Sequence, residues 1–165
     1  MPRHARIDAP GAVHHLMVRG ITRGAIFYDN VDRDRFIDRS ERVFTEGRCP
    51  CYAFTLLPNH VHLLLKTGVT PVADLMRRLL TGYAVSFNKR HKRSGHLFQN
   101  RYKSILCEEE PYLLELVRYI HLNPLRARAV KGLDSLDSYP YSGHSAIMGR
   151  CQRQWLDSAG WRDAH

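Results

Sequence analysis

Several features of membrane and exported proteins are missing from this chain of 165 residues. It has no run of 18 apolar residues, which excludes a membrane-spanning helix of ordinary length. The N-terminus is basic, but it leads into Asp8 and Pro10 instead of the apolar core of a signal peptide. We therefore expect a cytoplasmic protein. The sequence also lacks internal repeats and low-complexity stretches, so it predicts one globular domain with a short extension.

Cysteine is scarce, and its spacing does not indicate a disulfide framework. The chain has four cysteines, and Cys49 and Cys51 are separated by one residue, whereas redox and zinc motifs usually have two or more between them. We expect free thiols in a reducing compartment. A phosphate-binding glycine loop is also absent from the sequence, which argues against a nucleotide cofactor.

Acidic residues are absent from the segment 77–103, which contains eight basic ones. A solvated helix face normally carries both signs of charge, so this segment indicates binding to a polyanion such as a nucleic acid. The alternative is a basic surface that serves only solubility. Together with two arginines near the N-terminus, the predicted DNA contacts are Arg19, Arg23, Arg77, Arg78, Lys89, Arg90, Arg101 and Lys103. The aromatic side chains of Tyr83, Phe98 and Tyr102 could stack on unpaired bases.

The hydrophobic periodicity alternates between short strands and longer helices. It predicts the order strand, helix, strand, strand, helix, strand, helix, with an α+β fold in which helices pack on an antiparallel, ferredoxin-like sheet. Near-continuous apolarity at 52–57 and 61–65 favours central strands that are covered on both faces. The predicted elements are 13–19, 31–45, 52–57, 61–65, 70–91, 99–107, a helix opened by 108–111 that ends near Asn123-Pro124, and a short helix over 125–131. Beyond Asp134 the pattern weakens and predicts an irregular tail.

The motif His60-Val61-His62 lies inside the second of these apolar strands. Because strand side chains alternate, His60 and His62 share one face, about 7 Å apart along the strand. Two imidazoles at this spacing can bind one cation. The alternative is a pair of core histidines with satisfied hydrogen bonds, since burying imidazoles among leucines without partners is unfavourable.

The helix 112–123 carries a polar face in addition to its apolar one. Tyr112, Glu115, Tyr119 and Asn123 recur at spacings of three and four residues, so they lie on the same side. Tyr119 and Asn123 are one turn apart, which allows a phenol and an amide oxygen to meet at one site. A tyrosine on a helix more often serves packing, and that alternative stays open.

These residues together suggest phosphoryl transfer. A phenol can attack phosphorus once a neighbouring charge helps to remove its proton. A divalent ion held by His60, His62 and the Asn123 oxygen would polarise the scissile phosphate. This mixed nitrogen and oxygen ligand set suits Mn²⁺, tolerates Mg²⁺ and does not exclude Zn²⁺.

The same residues resemble a known family. His60-Val61-His62, preceded by Leu57-Pro58-Asn59, resembles the His-hydrophobe-His (HUH) signature of the single-tyrosine transposases of small insertion sequences. The segments 97–103 (LFQNRYK) and 119–127 (YIHLNPLRA) resemble the REP-associated branch, as do 14–20 (HHLMVRG), Ile26-Phe27 and 139–144 (YPYSGH). The resemblance extends from Gly11 to Gly149. We therefore predict a catalytic domain over 1–149 and a C-terminal tail over 150–165.

The resemblance implies a ferredoxin-like HUH endonuclease domain with Tyr119 as nucleophile and His60 and His62 as metal ligands. The third ligand falls on Asn123, where many relatives have glutamine. The implied activity is metal-dependent cleavage and rejoining of single-stranded DNA at repetitive palindromic hairpins, through a 5′-phosphotyrosine and with Mg²⁺ or Mn²⁺. A homodimer is compatible with this expectation. The sequence leaves open whether Tyr119 acts beside the metal ion of its own subunit or of a partner subunit.

Three other functions fit parts of the sequence. A replication-initiator nicking enzyme would use the same histidine and tyrosine chemistry with different flanking segments. A non-catalytic nucleic-acid-binding module would keep the basic segment and use the histidines as core residues. A zinc-stabilised structural domain would need further ligands beside His60 and His62, and Cys49 and Cys51 lie at the far end of the preceding strand.

Overall fold

Four strands form one antiparallel sheet in the computed structural model, which describes residues 11–99, 101–107, 112–151, 153 and 155–157. The strands are β1 (Val13–Arg19), β2 (Cys51–Leu57), β3 (His60–Lys66) and β4 (Lys103–Cys107). The helices are α1 (Asn30–Glu46), α2 (Val72–Arg90), α3 (Leu113–Arg126), α4 (Leu133–Ser138) and α5 (Gly143–Ile147). None of these helices is long and apolar enough to cross a membrane.

The strand order β2-β3-β1-β4 is that of a ferredoxin-like sheet, which confirms the predicted fold class. The two central strands, β1 and β3, pair in a register that places Arg19 opposite His60 and Met17 opposite His62. On its other side β1 pairs with β4. The hairpin between β2 and β3 turns at Pro58-Asn59, as predicted.

The two faces of the sheet carry different helices. The larger core joins α1 and α2 to one face, through β-strand residues such as Leu16, Val61 and Leu63. The smaller core joins α3 to the opposite face, through residues such as Leu64 and Ala53. Because side chains alternate along β3, His60 and His62 share the face of Leu64 and therefore point toward the side of α3.

The boundaries of α1 and α2 follow local chemistry. The side chain of Asp29 caps α1 by accepting a hydrogen bond from the backbone N–H of Asp32, and Gly47 ends the helix. The N-terminal cap of α2 is Pro71, and no side chain caps the backbone of this helix. Proline is suited to this position because its missing N–H would have no helical partner there.

The fourth strand begins later than predicted. Its first residue is Lys103, whereas the prediction began at Gln99. The chain still runs beside β1 before that point, because Gln99 N–H donates to the Arg19 carbonyl over 2.8 Å and Phe98 bridges to Gly20. The predicted helix opening over 108–111 lies outside the described residues.

The helix that carries Tyr119 continues past its predicted end. Proline normally breaks a helix, but Pro124 lies within α3, which ends at Arg126. The separate helix predicted over 125–131 is therefore wrong, and Arg128, with a φ of 59°, breaks the helical path there. Where an irregular tail was predicted beyond Asp134, the short helices α4 and α5 follow instead.

Strand β2 was predicted to be central, but it lies at the edge of the sheet. All of its residues are nevertheless buried, because later parts of the chain cover its outer side. Leu56 N–H donates to the Tyr141 carbonyl, and Asp157 N–H donates to the Cys51 carbonyl, each over 2.7 Å. Such coverage protects an edge strand from pairing with other chains. Residues 155–157 of the predicted tail thus pack on the domain.

Candidate active site

Two histidines of β3 lie side by side on the α3 face of the sheet. The ring centroids of His60 and His62 are 5.1 Å apart, with the rings nearly perpendicular. His60 is half-buried, and its Nδ1 lies 2.8 Å from the Asn59 side-chain oxygen. His62 is 3 % exposed. The turn at Pro58-Asn59 therefore both begins β3 and orients the first histidine.

Packing of α3 on the sheet brings its polar face to these histidines. The apolar stripe of Leu113, Val117 and Ile120 packs against β2 and β3, as its spacing predicts. The neighbouring face then places the Tyr119 ring 6.0 Å from the His62 ring, measured between centroids. Asn123 Nδ2 lies 3.4 Å from His62 Nε2. The structure thus brings Tyr119, His62 and Asn123 of one chain together.

Exposure differs between the two α3 residues. Tyr119 is 41 % exposed, whereas Asn123 is 8 % exposed. A nucleophile for a large substrate must be reachable, while a group that holds an ion benefits from exclusion of water. The arrangement suits these two roles.

A third histidine, His15, completes the cluster and was not predicted as a site residue. Its Nε2 lies 3.1 Å from His62 Nδ1, and the two rings stack with centroids 5.3 Å apart. Its ring also meets the Tyr119 ring edge-on at 6.3 Å. Alternation along β1 indicates that His15 and Arg19 share a face, but only the pairing of β1 with β3 shows that this face is the one with His62.

Burial and neighbouring basic groups lower the pKa of all three imidazoles, which favours their neutral form. Burial, followed by the charges of His15, His60 and Arg19, lowers the pKa of His62 to about 3. The pKa of His60 is lowered by burial and by Arg19. The pKa of His15 is lowered by burial and by Lys103. Neutral imidazoles have free lone pairs, the form that a metal ion requires.

A cation lies against the nucleophile candidate. The guanidinium carbon of Arg126 is 5.0 Å from the centroid of the Tyr119 ring. Arg126 follows Tyr119 by seven residues, which is two turns of α3. Helical spacing alone places both residues on one side of the helix, so this contact could have been predicted from the sequence. A positive charge here attracts phosphate.

The side chains around His62 can hold a divalent ion only if the Asn123 amide is one of the ligands. Among the described residues, no three His, Cys, Asp or Glu side chains come together as a metal site. The neutral Nε2 of His62 faces Asn123, and rotation of the amide about its last bond would present Oδ1 to the same place. Two imidazoles and an amide oxygen form a mixed set that suits Mn²⁺ and tolerates Mg²⁺.

The family profile described as "Transposase IS200 like" matches residues 10–123, more than half of the chain. The chain belongs to this transposase family. Its membership confirms the family predicted from the motifs, and it makes the protein a DNA-processing enzyme. No curated protein matches the sequence.

A solved structure confirms the fold of the transposase. It is similar to a REP-associated tyrosine transposase bound to a REP hairpin, with 16% identity, a TM-score of 0.72, and coverage of 96% of this chain and 93% of that one. A candidate transposase from Deinococcus radiodurans is 20% identical, with a TM-score of 0.49, and the match covers 73% of this chain and 94% of that one.

Six of the eight basic residues predicted to contact DNA fall into two groups by position. Arg19 is paired with His60 in the sheet, and Lys103 acts on the pKa of His15, so both lie at the site. Four others, Arg77, Arg78, Lys89 and Arg90, belong to α2, which packs on the opposite face.

Acidic residues elsewhere in the chain neutralise part of the basic segment. Arg78 is ion-paired with Glu46, and Arg90 binds Asp29 and Asp32 over 2.7 Å. The charges of Arg78 and Arg90 are therefore compensated by acidic residues on α1 or, for Asp29, immediately before it. Contacts of Arg23, Lys89 and Arg101 with DNA stay predictions.

The three aromatic residues that were predicted to stack on bases differ in their exposure. Tyr83 is 1 % exposed and its hydroxyl donates to the Ile26 carbonyl, so it is a core residue. Phe98 and Tyr102 line a groove of about 500 Å³ between α2 and the segment that precedes β4. Those two are therefore accessible to a ligand and Tyr83 is not.

Proposed function

We propose that this transposase cleaves and rejoins single-stranded DNA through a 5′-phosphotyrosine at Tyr119, with Mg²⁺ or Mn²⁺ held by His60, His62 and Asn123. The observation that carries the proposal is the meeting of a phenol, an imidazole and an amide from distant parts of one chain. Tyr119 and Asn123 both reach His62, with the distances given above. The nucleophile would thus act beside the histidines of its own subunit.

The chemistry follows from the nucleophile. The phenol oxygen of Tyr119 attacks the phosphorus of a DNA phosphodiester and loses its proton, and the bond from phosphorus to the 3′ oxygen breaks. The departing 3′ oxygen takes up a proton and becomes a free hydroxyl. Rejoining is the reverse attack by a 3′ hydroxyl, so the phosphodiester energy is conserved and no nucleotide is consumed.

The surrounding residues prepare this step. Arg126 lies against the Tyr119 ring, where its charge stabilises the phenolate that forms as the proton leaves. His60, His62 and Asn123 would hold the divalent ion, which supplies Lewis-acid polarisation of the phosphate when bound. Arg19 and Lys103 add positive charge beside the histidines, where it would attract the DNA backbone.

The substrate class rests on family and charge. The structurally similar REP-associated tyrosine transposase is bound to a REP hairpin, which supports hairpin DNA with a single-stranded flank as the substrate here. Arg23, Arg77, Lys89 and Arg101 would contribute further phosphate contacts, with Arg77 exchanging its exposed 3.7 Å ion pair with Asp74 for a phosphate. Arg78 and Arg90 would stay with their acidic partners. A DNA substrate agrees with the predicted cytoplasmic location.

Adduct formation tests the proposal. The probes are labelled oligonucleotides with a REP-type hairpin and a randomised single-stranded flank, incubated with the protein and Mn²⁺ or EDTA. We expect an SDS-stable protein–DNA adduct only with Mn²⁺, and its loss in Tyr119→Phe and in His62→Ala. Tyr112→Phe is the matched control, because Tyr112 is exposed at the start of the same helix. A metal-independent gel shift with no adduct under any condition would favour a non-catalytic binding module.

A further inference from the structure

His62 is held from both sides, one side chain at each ring nitrogen. Nδ1 lies 3.1 Å from His15 Nε2, and Nε2 lies 3.4 Å from Asn123 Nδ2. The ring itself is buried. Each nitrogen of the imidazole therefore has a side-chain partner within hydrogen-bond distance.

Only one tautomer of His62 is compatible with a metal ion on the side of Asn123. A neutral imidazole has one protonated nitrogen and one free lone pair, and only the lone pair can bind a cation. The nitrogen that faces Asn123 and the proposed ion is Nε2, so the proton must be on Nδ1. A buried Nδ1–H requires an acceptor, because an unsatisfied donor destabilises the folded state. His15 Nε2 is within hydrogen-bond distance to be that acceptor.

We propose that His15 is a positioning residue, which accepts a hydrogen bond from His62 Nδ1–H and so presents His62 Nε2 to the divalent ion. This inference rests on the proposed metal site. Ligands that bind metal through one imidazole nitrogen generally donate the other to a fixed partner, which sets the tautomer and the ring orientation. Such partners are usually carboxylates, carbonyls or water, and here the partner is a second imidazole.

The fold restricts the position of the His15 side chain. It lies on β1, a central strand that is hydrogen-bonded on both sides, and its ring stacks on His62 with an angle of 29° between the planes. It also contacts the Tyr119 ring, with centroids 6.3 Å apart and an angle of 75° between the planes. His15 thus links the metal-ligand candidate to the nucleophile candidate through direct contacts.

Metal binding without DNA tests the role of His15. Mn²⁺ dissociation constants are measured by the EPR signal of the free ion for wild type, His15→Phe, His15→Gln and His62→Ala. Phenylalanine keeps a ring but has no acceptor, so we expect binding weakened by about 10- to 100-fold. Glutamine offers an acceptor oxygen and should retain most of the affinity. His96→Phe, which removes an exposed histidine, is the control, and thermal unfolding in EDTA checks that each variant folds.

Nitrogen NMR gives a readout that does not depend on metal or activity. In metal-free protein at pH 7.5, long-range ¹⁵N–¹H spectra should show His62 protonated on Nδ1, and His15→Phe should lose this preference. A His62 protonated on Nε2 in wild type would overturn the proposal. So would equal loss of Mn²⁺ binding in His15→Phe and His15→Gln, which would make His15 a ligand, or normal binding in His15→Phe. If His62→Ala also binds Mn²⁺ normally, the proposed metal site itself is wrong.

Discussion

Asn123 and His62 lie 61 residues apart in the chain, and their side chains meet with 3.4 Å between Nδ2 and Nε2. This contact joins the last long helix to the middle of the sheet. Because Asn123 is one helical turn from Tyr119, it also fixes where the phenol stands relative to the histidines.

Replacing Asn123 with aspartate should strengthen metal binding. A carboxylate adds a negative charge to a ligand set of two neutral imidazoles, so we expect Asn123→Asp to bind Mn²⁺ at least about tenfold more tightly. In EDTA the same variant should unfold at a lower temperature, because a buried carboxylate without a cation is unfavourable. EPR titration and thermal unfolding with and without Mn²⁺ measure both effects. Unchanged Mn²⁺ affinity in Asn123→Asp and Asn123→Leu would remove Asn123 from the ligand set.

Arg126 should affect chemistry without affecting metal binding. Its guanidinium lies against the Tyr119 ring, so Arg126→Gln should slow adduct formation by about 10- to 100-fold, the effect of losing one electrostatic contact to a developing charge. Arg126→Lys should retain part of the rate. Single-turnover adduct formation at saturating Mn²⁺ measures this rate. Arg118→Gln is the control, because Arg118 is exposed on the same helix. Equal rates in the Arg126 and Arg118 variants would contradict the role.

Two arginines of the basic segment should behave differently. Arg90 binds Asp29 and the buried Asp32, so Arg90→Gln should lower the unfolding temperature and leave the salt dependence of DNA binding unchanged. Arg101→Gln should keep the stability, and the slope of log K against log salt should fall by about 1. Fluorescence anisotropy over a series of salt concentrations measures the slope. A reduced slope in Arg90→Gln alone would reverse this assignment.

Stability should fall in mild acid because of a buried histidine outside the site. Burial, with His144 nearby, lowers the pKa of His121 to about 3, from 6.5 in the unfolded chain. Between these values the unfolded state binds the extra proton, so stability declines as pH falls below 6.5. His121 alone should remove about 2 kcal/mol between pH 7 and pH 5. Urea unfolding of metal-free wild type and His121→Leu at both pH values should show that difference, and equal losses would contradict it.

Local periodicity was sufficient to predict the parts of the site that lie on one element. Alternation placed His60 and His62 on one face of β3, and helical spacing placed Tyr119 beside Asn123 on α3. The order of the elements also predicted the ferredoxin-like sheet. The helix end was missed because Pro124 is a strong stop signal, and tertiary packing of α3 overrides it.

What the sequence did not predict depends on contacts between distant segments. His15 joins His62 only because β1 and β3 pair, and nothing in the local pattern of β1 specifies its neighbour. The acidic partners of Arg78 and Arg90 lie on or just before α1, more than 30 residues away, so the charge of the basic segment was overestimated. The edge of β2 is likewise covered by residues that come after position 138 in the chain.

The most direct measurement is to identify the residue that carries the DNA. The Mn²⁺-dependent adduct is digested with nuclease and trypsin, and the phosphorylated peptide is sequenced by mass spectrometry. Cleavage after Arg118 and Arg126 yields residues 119–126, YIHLNPLR, in which Tyr119 is the one tyrosine. We expect the phosphate on this peptide, and on no other, in wild type. Phosphate on another tyrosine, such as Tyr102 or Tyr112, would contradict the assignment of the active site.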